Sequence, residues 1–142
     1  MNILILEDEL LLLKTLSYKL AQRGYRVFPA DNGKKAVDTV VEHPIDVIIC
    51  DLMLPVIPGI TFLYRRHKLM QTQAPVIVIS ALRNAEEILR ELSVDYTYFL
   101  KKPLNLEKLY VLLGQLKKIN DHSQARALTR SGQAKDAKPK SS

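Results

Sequence analysis

The chain has 142 residues, of which 47% are hydrophobic, and this is enough apolar material for the core of one domain. There is no run of about 18 apolar residues, so we expect no membrane span. No basic segment precedes an apolar run at the N-terminus, so we expect no secretory signal. The single cysteine, Cys50, cannot form an internal disulfide and lies in an apolar run. This favours a buried thiol and is consistent with a cytoplasmic location.

The formal net charge of +6 is unevenly distributed. Residues 121–142 contain five basic and two acidic residues, a net of +3, so residues 1–120 carry the other +3. This C-terminal segment has one large aliphatic residue, Leu128, and too little apolar surface to offset the entropy of ordering. We therefore predict one domain over residues 1–120, followed by a disordered basic tail or a truncated linker over 121–142. We expect no direct nucleic-acid binding by the domain, since the basic surplus per residue belongs to the tail.

Five short apolar runs alternate with five helical patterns in residues 1–120. The first helix has Leu13, Leu16 and Leu20 at helical spacing, and Gly24 follows as a stop signal. Asn105 is a plausible N-cap for the last helix. The predicted strands are 2–6, 25–29, 45–50, 76–79 and 96–100, and the predicted helices are 9–23, 34–43, 60–70, 84–93 and 106–119.

Strands that alternate with helices of this length indicate βαβ units and a parallel sheet. Right-handed crossovers leave few topologies, and a five-stranded, doubly wound, flavodoxin-like α/β sheet with strand order 2-1-3-4-5 fits best. In such a sheet, groups just beyond the carboxyl ends of the strands meet in one crevice. Acids, a hydroxyl and a lysine would meet there, and this set suits a divalent cation and a phosphoryl group. The polar groups at the four strand ends are Glu7-Asp8-Glu9, Asp51, Ser80 and Lys102.

These strand ends resemble the motifs of the receiver domain of bacterial two-component response regulators, and they occur in the same order. The resemblance covers about residues 1–120. Its motifs are the acidic pair Glu7-Asp8, the segment Asp51-Leu52-Met53-Leu54-Pro55, the pair Ser80-Ala81, and the segment Phe99-Leu100-Lys101-Lys102-Pro103.

The resemblance implies that Asp51 takes a phosphoryl group from a histidine kinase and holds it as an acyl phosphate. It also implies a Mg²⁺ ion, bound by Asp8, Asp51 and the backbone carbonyl of Met53, with Glu7 in the outer shell. Magnesium keeps several waters, so one or two carboxylates suffice as direct ligands.

The resemblance implies three further roles near the phosphoryl group. Lys102, which the neighbouring Pro103 distinguishes from Lys101, would pair with Asp51 before transfer and with a phosphoryl oxygen after it. Ser80 would hydrogen-bond another phosphoryl oxygen and move toward it. Phe99 would then fill the space that Ser80 leaves, which makes a two-state packing switch.

A receiver of this kind is a signalling domain rather than an enzyme, and it catalyses only its own aspartate phosphorylation and dephosphorylation. The implied partners are a histidine kinase or phosphotransfer protein, a downstream effector or covalently linked output domain, and a second copy of the chain through the last strand and last helix. One departure from the family is Ser93-Val94, which replaces the usual Gly-Ala before the last strand and puts the conformation of that loop in question.

Other classes fit less well. Phosphatases of the haloacid-dehalogenase-like class need a second acid two residues after the nucleophile, where this chain has Met53. A dinucleotide-binding enzyme needs a glycine-rich turn after the first strand, and a flavodoxin-like electron carrier needs a hydroxyl-rich one, but Glu7-Asp8-Glu9 occupies this position. The alternative that stays open is a degenerate receiver that acts as a phosphorylation-independent binding scaffold.

Overall fold

The structure, a computed structural model, describes residues 1–54, 58–70 and 73–137, the last eight of these as backbone only. Pro55, the last residue of the motif that begins at Asp51, lies outside the described residues. All predicted elements are present, and their ends agree with the predictions to within two residues, except for the end of the last helix. The strands are β1 (Asn2–Leu6), β2 (Arg26–Ala30), β3 (Val47–Asp51), β4 (Val76–Ser80) and β5 (Tyr98–Lys101). The helices are α1 (Leu10–Gln22), α2 (Gly33–Glu42), α3 (Gly59–Leu69), α4 (Ala85–Glu91) and α5 (Leu106–Ala137).

The five strands form one sheet in the order β2-β1-β3-β4-β5, and every neighbouring pair is parallel. This confirms the predicted flavodoxin-like order. The strand order reverses beside β1, which pairs with both β2 and β3. Strands β3 and β4 are buried along their whole length, as the continuous apolar run in β3 predicts.

The sheet is covered on both faces because successive side chains of a strand point to opposite sides. In β1, Leu4 and Leu6 pack into the layer formed with α2, α3 and α4. Ile3 and Ile5 pack into the opposite layer, formed with α1 and α5. Cys50 is buried in the first layer, as predicted, and burial raises the pKa of its thiol.

The predicted helix ends have identifiable local causes. Gly24, at a φ of +91°, follows α1 in the left-handed conformation. The side chain of Asn105 accepts a hydrogen bond from the backbone N–H of Lys108 at 3.2 Å, so Asn105 caps α5 as predicted. The side chain of Asn32 accepts a hydrogen bond from the backbone N–H of Lys35 at 3.0 Å, which makes it the cap of α2.

The loop that follows α4 shows how the chain adapts to Ser93-Val94. Ser93 adopts a φ of +53°, in the region that favours glycine, while Val94 is buried. Arg66 of α3 forms a hydrogen bond with this loop. Its guanidinium is buried, and it donates hydrogen bonds to the carbonyls of Leu63 at 2.8 Å and Asp95 at 3.1 Å.

Helix α5 differs from the prediction, because it continues to Ala137 instead of ending at residue 119. The division into a domain over residues 1–120 and a disordered tail or truncated linker over 121–142 stays a prediction. Extending an existing helix needs no new nucleus, and no proline interrupts this segment, so helix can propagate without a packed partner. Residues 121–129 are all exposed, so burial does not hold the extension in place. None of the helices in the described part of the chain is both long and apolar enough to span a membrane.

Candidate functional site

The carboxyl ends of β1, β3, β4 and β5 bring four predicted residues to the same edge of the sheet. Glu7 follows β1, Asp51 and Ser80 end their strands, and Lys102 follows β5. The Lys102 Nζ lies 2.7 Å from Asp51 Oδ2 and also contacts Glu7 Oε1. Glu7, Asp51 and Ser80 are buried, whereas Asp8 is exposed at the mouth of the crevice.

The backbone directly after β3 contacts the side chain of Asp51. The backbone N–H of Met53 donates a hydrogen bond to Asp51 Oδ1 at 3.0 Å, which fixes the orientation of the carboxylate. The N–H of Gly59, the first residue of α3, donates to the carbonyl of Leu52 at 3.2 Å. A Cβ at position 59 would lie 2.0 Å from the carbonyl oxygen of Asp51. Only glycine allows this approach, and the sequence motifs listed above do not include Gly59.

Three carboxylates converge at this edge. Glu7, Asp8 and Asp51 each offer an oxygen within 4.8 Å of the others. Among the described residues, the ammonium of Lys102 contacts two of these carboxylates, Glu7 and Asp51, so the cluster holds surplus negative charge when all three are ionised. The buried Glu7 Oε1 has no hydrogen bond of acceptable geometry among the described residues, although it contacts Lys102. This donor set and its charge fit a Mg²⁺ ion, which prefers carboxylate, carbonyl and water oxygens.

The electrostatics of Glu7 and Lys102 follow from their burial. Burial raises the pKa of Glu7 from 4.5 to about 7, although the contact with Lys102 and the hydrogen bond from the backbone of Glu9 oppose this. For Lys102, burial alone would lower the pKa. Its hydrogen bond to Asp51 and its contact with Glu7 outweigh burial, so its pKa is raised and the side chain is a cation at neutral pH.

Ser80 and Phe99 occupy different surroundings. The hydroxyl oxygen of Ser80 accepts a hydrogen bond from the N–H of Leu82 at 3.1 Å, and the Ser80 carbonyl accepts one from the N–H of Lys102 at 2.9 Å. Ser80 therefore joins β4 to the segment that carries the lysine. Phe99 is outside the polar cluster, half-buried, and packs against the layer of α2, α3 and α4.

The structure thus brings clustered carboxylates, a hydroxyl and a lysine to the carboxyl edge of a doubly wound parallel sheet, as the sequence motifs predict. Residues 3–114 match the family model described as a response regulator receiver domain. The chain therefore belongs to the response regulator receiver family.

Individual proteins agree with this membership. The transcriptional regulatory protein KdpE of Mycobacterium tuberculosis is 33% identical over 111 residues, which are 78% of this chain and 48% of that protein. The chain thus spans about half the length of the curated relatives that it matches. The receiver domain of a Francisella response regulator is 28% identical and superposes with a TM-score of 0.73 over 84% of this chain and 98% of the other.

A second solved structure that resembles this chain contains Mg²⁺. The response regulator TrrA of Thermotoga maritima, solved in complex with Mg²⁺ and a beryllium fluoride, is 25% identical and has a TM-score of 0.69. The superposition covers 81% of this chain and 97% of that one. Receiver domains of this family bind Mg²⁺ at an acidic pocket, and the carboxylate cluster described above is consistent with such a pocket.

Proposed function

We infer that this chain is a phosphoacceptor, in which Asp51 takes a phosphoryl group from a histidine kinase or a phosphotransfer protein. The observation that carries this inference is the contact of Asp51 Oδ2 with Lys102 Nζ at 2.7 Å, inside a cluster of three carboxylates. The other carboxylate oxygen, Oδ1, is held by the N–H of Met53. Asp51 is thus oriented before any donor arrives, which reduces the entropic part of the barrier.

In the proposed transfer, a carboxylate oxygen of Asp51 attacks the phosphorus atom of a phosphohistidine. An O–P bond forms, the N–P bond breaks, and the histidine nitrogen leaves with the electron pair. Lys102 pairs with the carboxylate before the transfer and with a phosphoryl oxygen after it, so a cation faces the developing charge throughout.

The proposed metal ligands are Asp8, Asp51 and the carbonyl of Met53, with Glu7 acting through a water. A bound Mg²⁺ ion would supply positive charge that lowers the repulsion between the carboxylates and the incoming phosphoryl group. We expect Asp8→Ala to weaken Mg²⁺ binding more than Glu7→Ala does, because Asp8 is the proposed direct ligand. Titration of Mg²⁺-dependent spectral changes measures both losses, and equal losses would contradict the assignment.

We further propose that Ser80 and Phe99 convert phosphorylation into a change of surface. Ser80 Oγ would exchange its hydrogen bond from the Leu82 N–H for one to a phosphoryl oxygen. Phe99 would move toward the space that Ser80 leaves. Phe99 already lines a groove of about 420 Å³ between β5 and α5, together with the exposed Val111, so its movement would change this face.

The face of β5 and α5 is our proposed contact for an effector, a linked output domain or a second copy of the chain. Sedimentation of the native chain with and without beryllofluoride and Mg²⁺ tests the last of these. A dimer that forms only with beryllofluoride, and that Val111→Asp prevents, would support it. A monomer under both conditions would contradict the homodimer. The cytoplasmic location stays an expectation from the sequence.

The decisive experiment separates a phosphoacceptor from a degenerate scaffold. Incubation with Mg²⁺ and acetyl phosphate or phosphoramidate should add one phosphoryl group, measured as intact mass. Asp51→Asn should abolish the addition, whereas Asp38→Asn, which changes an exposed carboxylate on α2, should retain it. If the native chain remains unlabelled, the scaffold is the better interpretation. Labelling of Asp51→Asn would show that another residue is the acceptor.

A further inference from the structure

The C-terminal part of α5, from Lys118 onward, carries an ordered array of basic residues. Lys118, His122 and Arg126 are exposed and follow each other at intervals of four residues along the helix, and Arg130 continues the same spacing. We call these four residues the basic stripe. A step of four residues rises about 6 Å and turns the helix by only about 40°, so the four positions form a slanted line on one side of α5.

The basic stripe is not used within the described structure. None of Lys118, His122 and Arg126 takes part in an ion pair among the described residues. The only acid nearby in sequence is Asp121, which is exposed and unpaired within the same part of the chain. The charges of Lys118 and Arg126 are therefore available, within the described part of the chain, to a partner that carries negative charge.

The composition of the extension narrows the class of partner. A helix that lies in a membrane surface needs a broad apolar face, and a coiled coil needs apolar residues at a heptad spacing. Between residues 120 and 129 the only large apolar side chain is Leu128, and it is exposed. The segment therefore suits a partner that presents a regular line of negative charge and requires no apolar contact.

We propose that the basic stripe binds the phosphate backbone of double-stranded DNA. Duplex DNA carries about one negative charge per 1.7 Å of its axis, so basic side chains spread over about 18 Å of helix have phosphates within reach. Contacts of this kind are independent of base sequence. This inference concerns the α5 extension, and it leaves our expectation for the rest of the domain unchanged.

The test measures binding of the unphosphorylated full chain to a fluorescein-labelled DNA duplex by fluorescence anisotropy. If Lys118, Arg126 and Arg130 each neutralise one phosphate, the affinity should fall roughly 40-fold between about 50 mM and 200 mM salt. The variant Lys118→Gln/Arg126→Gln/Arg130→Gln should lose this binding and its salt dependence. Glutamine has a helix propensity close to that of lysine and arginine, so the helix should persist, which far-UV circular dichroism checks.

A matched control removes the same number of charges elsewhere. Lys34, Arg65 and Lys68 are exposed on α2 and α3, away from the stripe, and Lys34→Gln/Arg65→Gln/Lys68→Gln should bind DNA like the native chain. If the control variant loses as much DNA affinity as the stripe variant, net charge alone explains the binding, and the proposal is overturned. Absence of binding by the native chain at the lower salt concentration, or binding to phosphatidylserine vesicles but not to DNA, would also overturn it. Because no phosphoryl donor is present, these outcomes are independent of the role proposed for Asp51.

Discussion

The buried carboxyl of Glu7 should make the stability of the metal-free protein depend on pH. Its pKa is raised by burial from 4.5 to about 7 in the folded state. Between these two values the unfolded chain has released the Glu7 proton while the folded chain retains it. The free energy of unfolding should therefore fall as the pH rises from about 4.5 to about 7, and it should level off above that range.

The size of the effect follows from the difference between the two pKa values. A shift from 4.5 to about 7 corresponds to roughly 3 kcal/mol of unfolding free energy, as an upper figure for this one group. In a chain of this length that is roughly 10 °C in melting temperature. The substitution Glu7→Gln should remove this component, because an amide at position 7 is neutral at both ends of the range. Lys102 does not contribute to the slope here, since its raised pKa keeps it charged in both states.

Thermal and urea unfolding with a chelator present, at several values between pH 5 and pH 8, would test this reasoning about a group whose folded pKa is about 7. The native chain should lose stability with rising pH, and Glu7→Gln should lose much less. Glu9→Gln is the matched control, because it removes an exposed carboxylate two residues away and should keep the native slope. Identical slopes for the native chain and Glu7→Gln would refute the argument that burial of Glu7 determines the effect.

Two other perturbations have definite expected outcomes. Gly59→Ala should destabilise the fold by about 1–3 kcal/mol or more, because its Cβ would meet the Asp51 carbonyl oxygen, whereas Gly114→Ala, with open space around it, should stabilise α5 by up to about 1 kcal/mol. Equal urea midpoints for the two variants would contradict this. The resemblance to receiver domains implies that Met53 and Leu82, two residues after Asp51 and Ser80, flank the path of the water that hydrolyses the acyl phosphate. Neither side chain can orient a water by hydrogen bonding, so the phosphoryl group should persist for hours rather than seconds. Met53→Asn/Leu82→Glu should accelerate loss of label by about 10²-fold or more, and an unchanged decay rate would show that these positions do not control hydrolysis.

The sequence by itself determined the fold class, because its signals are local and repeated. Apolar runs and helical periods alternate along residues 1–120, and the handedness of βαβ connections then leaves few possible sheets. The strand order and the element ends followed from these rules, to within two residues in all but one case. The polar groups predicted to share one crevice also followed from local pattern, since each lies directly at the end of a strand.

Tertiary structure decided the features that depend on distance between segments. The raised pKa of Glu7 results from its complete burial beside Lys102, which lies 95 positions further along the chain. The requirement for glycine at position 59 results from the backbone of Asp51 passing within van der Waals distance of its Cα substituent. No local pattern contains either fact, because both arise only when separate segments of the chain pack together.

The length of α5 is a feature that composition predicted differently from the structure. The composition of residues 121–142 predicts disorder, because such a segment cannot bury enough apolar surface to fold alone. In the structure it continues a helix that the domain has already nucleated, and so it extends to Ala137 without burying its side chains through residue 129. The sequence determined that residues 121–129 would not join the core. Only their attachment to a packed helix decided that they would be helical.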